Sequence, residues 1–261
     1  MDTAAALDLA LVLADAADAV TMGRFRAHDL VVDTKPDLTP VSEADHAAEV
    51  RIRELVADRA RAHAVAGEEF GDDGDAECRW IVDPIDGTKN YVRGVPIWAT
   101  LLGFERAGEL VVGVVSAPAL GARWWAGQGL GAYRDGHRIQ VSAVHELADA
   151  HLSFAGDYAY LFDGLGERLV ELQSACWRTR SVGDFWQHML VADGGLDVSI
   201  DPILAYWDAA ALLPIITEAG GLWTTLTGEQ PAQPDSLVCT NGRLHASVLA
   251  RLAGESERTG R

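Results

Sequence analysis

Residues 4–27 carry Ala4, Leu7, Ala10, Leu11, Ala14, Ala17 and Val20 at helical spacing, which predicts an amphipathic helix at the start of the chain. Residues 33–41 interrupt that pattern with two prolines and mixed polar groups and predict a loop. Ser42-Glu43-Ala44-Asp45 then opens a second helix, with Ala48, Ile52, Leu55, Val56 and the stem of Arg59 along one stripe. Ser42 with Asp45 three residues on is a capping-box-like start, so on pattern alone Asp45 satisfies an orphan amide and the helix dipole. Val65-Ala66-Gly67-Glu68-Glu69-Phe70 is a short apolar approach to a carboxylate pair, and residues 71–77 read as an acidic, mobile, solvated loop. Trp80-Ile81-Val82 look like the end of a buried strand, closed by Asp83 and by Pro84, which forbids further ladder pairing.

From Ile97 to Val141, apolar and alternating runs are separated by turns such as Arg106-Ala107-Gly108-Glu109 and Arg134-Asp135-Gly136-His137, the pattern of an antiparallel meander. Gly127-Gln128-Gly129-Leu130-Gly131 lies between strands rather than opening a helix, so its glycines read as turn residues and not as a dinucleotide loop. The pattern changes around 142–150. Beyond it, strands at 151–155, 177–181, 196–200, 222–226 and 236–240 alternate with helices at 161–175, 184–193, 207–219 and 245–253. These runs predict an N-terminal α+β part over 1–145 and a C-terminal α/β part over 146–253. A disordered tail is expected over 254–261.

Composition narrows the choice of partner. A net charge of -18 on 261 residues argues against nucleic acid or an anionic membrane surface. It also means that a phosphate substrate needs a local source of positive charge, for which a metal ion is the simplest. The two lysines, Lys35 and Lys89, both fall in stretches that attract attention on other grounds. Cys78, Cys176 and Cys239 are odd in number and far apart, which fits a reducing cytoplasm rather than a disulfide framework or a zinc site. The first residues lack a basic region, and Asp8, Asp15 and Asp18 interrupt the alanine-leucine run, so neither a signal peptide nor a membrane span is expected.

The chemistry concentrates where apolar runs end in carboxylates. Glu68, Asp83 and Asp86 repel one another unless a cation neutralises them, and oxygen ligands of this kind suit magnesium beside a substrate phosphate. Gly87 and Thr88 offer backbone amides at a turn, the makings of an anion nest. Asp208, at the start of a predicted helix, is a fourth candidate, although helix capping alone accounts for it. No His-x-x-x-His spacing, Gly-x-Ser-x-Gly elbow or phosphate-binding Gly-x-x-x-x-Gly-Lys-Ser/Thr loop occurs.

Gly67-Glu68-Glu69, Asp83-Pro84-Ile85-Asp86-Gly87-Thr88, Trp207-Asp208-Ala209-Ala210 and Glu218-Ala219-Gly220-Gly221 together resemble the signature of the inositol monophosphatase superfamily, in order from about residue 5 to 253. Within it, residues 33–41, 87–96 and 180–185 are most similar to the histidinol-phosphate phosphatases of the actinobacterial kind. The resemblance implies a layered αβαβα sandwich and magnesium-dependent hydrolysis of a phosphomonoester, with two or three Mg2+ per site. It makes Glu68, Asp83, the Ile85 carbonyl, Asp86 and Asp208 metal ligands, and Gly87 and Thr88 phosphate-binding residues. Glu68 and Thr88 would orient and deprotonate the attacking water, with Asp45 hydrogen-bonded to the Thr88 hydroxyl. Asp184, Asp201, Arg180 and Lys89 would contact the substrate, Asp201 standing where many relatives carry a longer Glu. A cationic leaving group, as in histidinol phosphate, suits this acidic set better than a neutral polyol does. The alternatives within the superfamily are inositol 1-phosphate and a 3′(2′),5′-bisphosphate nucleotide. A catalytically dead metal- or phosphate-binding member is the alternative of another class. A cytoplasmic homodimer inhibited by lithium is the expectation for the whole protein.

Overall fold

The computed structural model describes residues 1–74, 76–155 and 164–254. The first unit comprises Met1–Arg138 and Trp207–Glu218, and the second Ile139–Tyr206 and Ala219–Arg261. The chain runs α1 (Thr3–Arg24), β1 (Val32–Thr34), β2 (Pro40–Ser42), α2 (Glu43–Arg59), β3 (Ala64–Gly67), β4 (Gly71–Asp72), β5 (Cys78–Asp86) and α3 (Thr88–Val92). The meander follows as β6 (Ala99–Arg106), β7 (Glu109–Ala117), β8 (Ala122–Gly127), β9 (Gly131–Arg134) and β10 (His137–Arg138). Next come β11 (His151–Phe154), α4 (Leu165–Ala175), β12 (Arg178–Thr179), α5 (Asp184–Ala192) and β13 (Val198–Asp201). The chain then adds α6 (Tyr206–Ala210), α7 (Leu212–Glu218), β14 (Leu222–Thr224), β15 (Leu237–Thr240) and α8 (His245–Leu252). Residues 255–261 of the expected disordered tail at 254–261, and residues 161–163 of the expected helix at 161–175, lie outside the described residues.

In the first unit an eight-stranded sheet runs β10-β9-β8-β7-β6-β5-β3-β4, antiparallel except where β3 lies parallel to β5. Alternation splits its faces. Trp80, Val82, Leu102, Phe104, Val112 and Val114 pack with Leu9, Leu13, Ile52 and Val56 of α1 and α2 in one core. On the other face, Gly103 and Gly113 stand opposite each other on β6 and β7. A Cβ at Gly103 would lie 2.8 Å from the Ala210 Cβ, and one at Gly113 would lie 2.0 Å from the Ala211 carbonyl oxygen. This glycine pair opens the trough in which the α6–α7 backbone lies, with Asp208 on α6.

In the second unit five strands run β12-β11-β13-β15-β14, with β11 parallel to β12 and β13 and the other two pairings antiparallel. Leu152, Val198, Ile200 and Val238 pack with Leu169, Leu172, Val248 and Leu252 of α4 and α8. The intervening residues turn polar side chains to α5: Ser153 Oγ donates to Gln187 Oε1 at 2.9 Å, and Ser199 Oγ lies 2.9 Å from His188 Nδ1. Among the described residues, no helix is long and apolar enough to cross a membrane.

Several local expectations are corrected. Residues 33–41 are not simply a loop. β1 and β2 pair in a short hairpin, closed by Lys35 N to Thr39 O and by the Asp37 carboxylate on the Thr39 amide and hydroxyl. Pro40 is tolerated there because it lies at the end of a two-stranded ribbon. Asp72 and Asp73 are likewise held. Gly71 and Asp72 form β4, and Asp73 Oδ1 accepts from Val65 N at 2.7 Å. β5 continues through Pro84 to Asp86, because a register shift between Asp83 and Asp86 takes the proline out of the ladder. The single helix expected at 207–219 is two, since Pro214 supplies no amide to the Ala210 carbonyl and its ring crowds that turn. On α1 the buried face is Ala6, Leu9, Ala10, Leu13, Ala14 and Ala17, whereas Ala4 is exposed and Leu7, Leu11 and Val20 are only half-buried. A helix apolar on nearly every side does not reveal by spacing which face will be covered.

Candidate metal and phosphate site

β5 and α6 bring three carboxylates of the first unit together. Asp83, Asp86 and Asp208 each offer an oxygen, and these oxygens all lie within 4.8 Å of one another. Asp83 is buried, and one of its oxygens accepts from Ile85 N at 3.0 Å, which fixes the bulge at Pro84. Burial, and then the charges of Glu68, Asp86 and Asp208, push the Asp83 carboxyl well above the usual carboxylate range. A cluster that resists its own ionisation so strongly, and that offers only oxygen donors, fits a hard divalent cation.

Glu68 follows β3, and its amide donates to the Val82 carbonyl at 3.1 Å, so it leaves the sheet beside Asp83. Lys35, from the β1–β2 turn, donates to Glu68 Oε1 at 2.7 Å and to Glu69 Oε1 at 2.8 Å. Burial lowers the pKa of Lys35, but its hydrogen bonds and charge pairing with the two glutamates outweigh that and leave it raised. Burial pushes the Glu69 carboxyl up, against the pull of Lys35.

Gly87, at φ 81°, turns the chain from β5 into α3 in a left-handed conformation that favours glycine. The first amides of α3 have no acceptor within the helix. The Thr88 hydroxyl lies 2.9 Å from the Ile85 carbonyl and 3.2 Å from Asp45 Oδ1, and its single proton serves one of them at a time. Asp45 makes both contacts expected of it. Its Oδ2 accepts from Ser42 N at 2.9 Å and Ser42 Oγ at 2.6 Å as a helix cap, while Oδ1 faces Thr88. Burial raises its carboxyl, partly offset by the hydrogen bonds from Ser42 and Thr88. Below α3, Tyr91 and Trp98 pack against Ile85, and Tyr91 donates to the Thr21 carbonyl at 2.7 Å, so the turn rests on a rigid aromatic floor. Lys89 is exposed on α3.

The other expected contacts lie in the second unit. Arg180 follows β12, is exposed and donates to the Thr179 carbonyl at 2.7 Å. Asp184 opens α5 at φ 46°, a strained value for a residue with a Cβ, and Asp201 ends β13. All three stand at the carboxyl ends of parallel strands, where open α/β sheets receive ligands. On α5 itself His188 is buried, and burial drives its pKa down to about 3.

The sequence pattern missed Glu49. It is fully buried, its carboxylate accepts from Arg53 Nε and Glu69 N, both at 2.9 Å, and from Phe70 N at 3.3 Å. The one hint is its place on the helix: Asp45, Glu49, Ile52 and Val56 fall at i, i+4, i+7 and i+11 on one face, a spacing that does not by itself tell a buried carboxylate from a solvated one.

The model of the inositol monophosphatase family matches residues 2–258. The chain is 49% identical over 255 residues to a histidinol-phosphatase of Streptomyces coelicolor, covering 94% of this chain and 96% of that protein. It is 50% identical over 252 residues to a histidinol-phosphatase of Mycobacterium tuberculosis, with 94% and 97% covered. Among solved structures, the Thermotoga maritima IMPase matches with a TM-score of 0.87 at 29% identity, over 97% of this chain and 99% of that one.

Proposed function

This chain belongs to the inositol monophosphatase family, and from that premise we propose that it is a metal-dependent phosphomonoesterase that hydrolyses histidinol phosphate to histidinol and phosphate. The observation that carries the reaction is the convergence of Asp83, Asp86 and Asp208 around one point beside the Thr88 turn. The choice of substrate is supported by the identity to two histidinol-phosphatases over nearly their whole length. It is supported too by Asp184 and Asp201, which suit a leaving group bearing an amine and an imidazole.

Asp83, Asp86, Asp208, Glu68 and the Ile85 carbonyl would hold two or three Mg2+ ions. When bound, these supply the positive charge that neutralises the phosphoryl oxygens and makes water a better acid. The chain's own groups do the rest. The first-turn amides at Gly87 and Thr88 hold the phosphate and aim the phosphorus. When Thr88 donates to Asp45, its oxygen is left to accept from the attacking water, and Glu68 takes the water's other proton. Attack in line then breaks the bond to the ester oxygen, which leaves as the histidinol alkoxide and takes up a proton from solvent, with no covalent enzyme intermediate. Lys89 in the first unit and Arg180 in the second are proposed as further substrate contacts. In solution the protein is a cytoplasmic homodimer, and lithium inhibits it by competing for the cation site. A lithium titration at fixed magnesium and a light-scattering mass check these two points.

Phosphate release from histidinol phosphate by the purified chain tests the reaction. It should require Mg2+, stop on chelation and disappear in Asp83→Asn. Turnover that survives both chelation and that substitution would remove the metal assignment.

A further inference from the structure

Glu49 is a carboxylate with no exposure to solvent, seated on the inner face of α2 one turn beyond Asp45. What surrounds it is specific. Its two oxygens take the amides of Glu69 and Phe70, the two residues directly after Glu68. A Cβ at Gly67 would lie 2.0 Å from Glu49 Oε1, so the chain just before Glu68 is glycine to admit this carboxylate. Arg53, one turn further along α2, neutralises it and also donates to the Val65 carbonyl at 3.3 Å, to the Gly71 carbonyl and to Asp73 Oδ2 at 3.1 Å. One ion pair thus grips β3, β4 and the turn between them, on both sides of Glu68.

A buried ion pair contributes little net stability compared with apolar residues of the same shape. Its use must lie in what it holds. The turn at 67–70 has to send the Glu68 side chain toward Asp83 and against the repulsion of that cluster, and apolar packing cannot bind two successive amides. We propose that Glu49, braced by Arg53, is a positioning residue that fixes the Glu68 carboxylate for the metal ion. The inference rests on the reading of Glu68 as a metal ligand. Glutamine in place of Glu49 keeps the shape but turns its NH2 group either toward the amide of Glu69 or toward that of Phe70 and the Arg53 guanidinium, so a donor meets a donor and the turn must shift.

Magnesium or manganese binding to the full-length protein, followed by calorimetry without substrate, tests this directly. Glu49→Gln should weaken the metal about tenfold or more, the usual effect of removing a group that orients a ligand. Ile52→Val, a core truncation on the same helix, should lower the melting temperature and leave the metal constant unchanged. An unchanged constant in Glu49→Gln, with Glu68→Gln weakened, overturns the positioning role and leaves Glu68 a ligand. Equal weakening by Ile52→Val overturns it too, because the effect would then be one of general stability. An unchanged constant in Glu68→Gln removes the ligand reading and the inference with it. Should Glu49→Gln fail to fold, Arg53→Lys keeps the charge but loses the forked contacts. It should weaken the metal in the same direction, and an unchanged constant overturns the proposal.

Discussion

At the scale of single residues, Asp83 carries both the proposed chemistry and an electrostatic penalty. Its burial among Glu68, Asp86 and Asp208 makes the metal-free site self-repelling. Asp83→Asn keeps the acceptor for the Ile85 amide and removes one charge. Turnover should then fall by more than about a hundredfold, beyond the loss expected for partners one layer further out. The same variant should melt higher than wild type in chelator, by roughly 2–4 °C per kcal/mol of repulsion relieved. Added Mg2+ should raise the melting point of wild type and not of the variant; thermal melts with and without metal check both signs. Most of this site was legible in the sequence because Asp83, Asp86, Gly87 and Thr88 are consecutive or nearly so, and a strand end followed by a glycine turn brings them together locally. Glu49 and the pairing of Lys35 with Glu69 were not. A charge on an amphipathic helix reads as solvated, and only the absent Cβ of Gly67, 18 residues away, makes room for it inside.

At the scale of elements, the trough at Gly103 and Gly113 sets where α6 lies and so where Asp208 points. Gly113→Ala would drive a methyl into the Ala211 carbonyl, which is backbone and yields little. A loss of about 1–3 kcal/mol in stability is expected, with a weaker metal constant, and denaturant unfolding beside calorimetry measures the two. The break between α6 and α7 depends on this trough and on Pro214, and helical periodicity alone ran straight through it. In the second unit, α5 is tied to the sheet by Gln187 and His188. His188 has its pKa lowered by folding to about 3, so the folded state refuses a proton that the unfolded chain accepts. Its contribution is therefore intact above about pH 6.5 and is lost as pH falls toward 3, by about 1.4 kcal/mol per unit. The buried carboxylates with raised pKa act with the opposite sign, so the comparison must be with His188→Asn. The stability advantage of wild type over that variant should shrink with that slope between pH 6.5 and the acid limit, measured by urea unfolding across the range.

At the scale of the whole molecule, a net charge of -18 surrounds a site that must accept a phosphate. Long-range repulsion slows the approach of an anion, and salt screens it over about 10 Å at 0.1 M. Histidinol phosphate carries an amine that offsets part of its charge, whereas inositol 1-phosphate carries none. Raising the ionic strength should therefore increase kcat/KM for inositol 1-phosphate by a larger factor than for histidinol phosphate, a difference that initial rates across a salt series would reveal. The layered architecture was legible because the helix-rich, meander and alternating stretches differ in period. The return of Trp207–Glu218 to the first unit was not. Nothing local in that segment shows which sheet its alanines will cover until the glycines of β6 and β7 are seen to face them. Substrate choice is read from one quantity. It is kcat/KM for histidinol phosphate, inositol 1-phosphate and 3′-phosphoadenosine 5′-phosphate with the same magnesium-loaded protein. We expect histidinol phosphate to lead each rival by at least about a hundredfold, the discrimination that paired polar contacts to a leaving group supply. Equal or faster turnover of either rival would contradict the account.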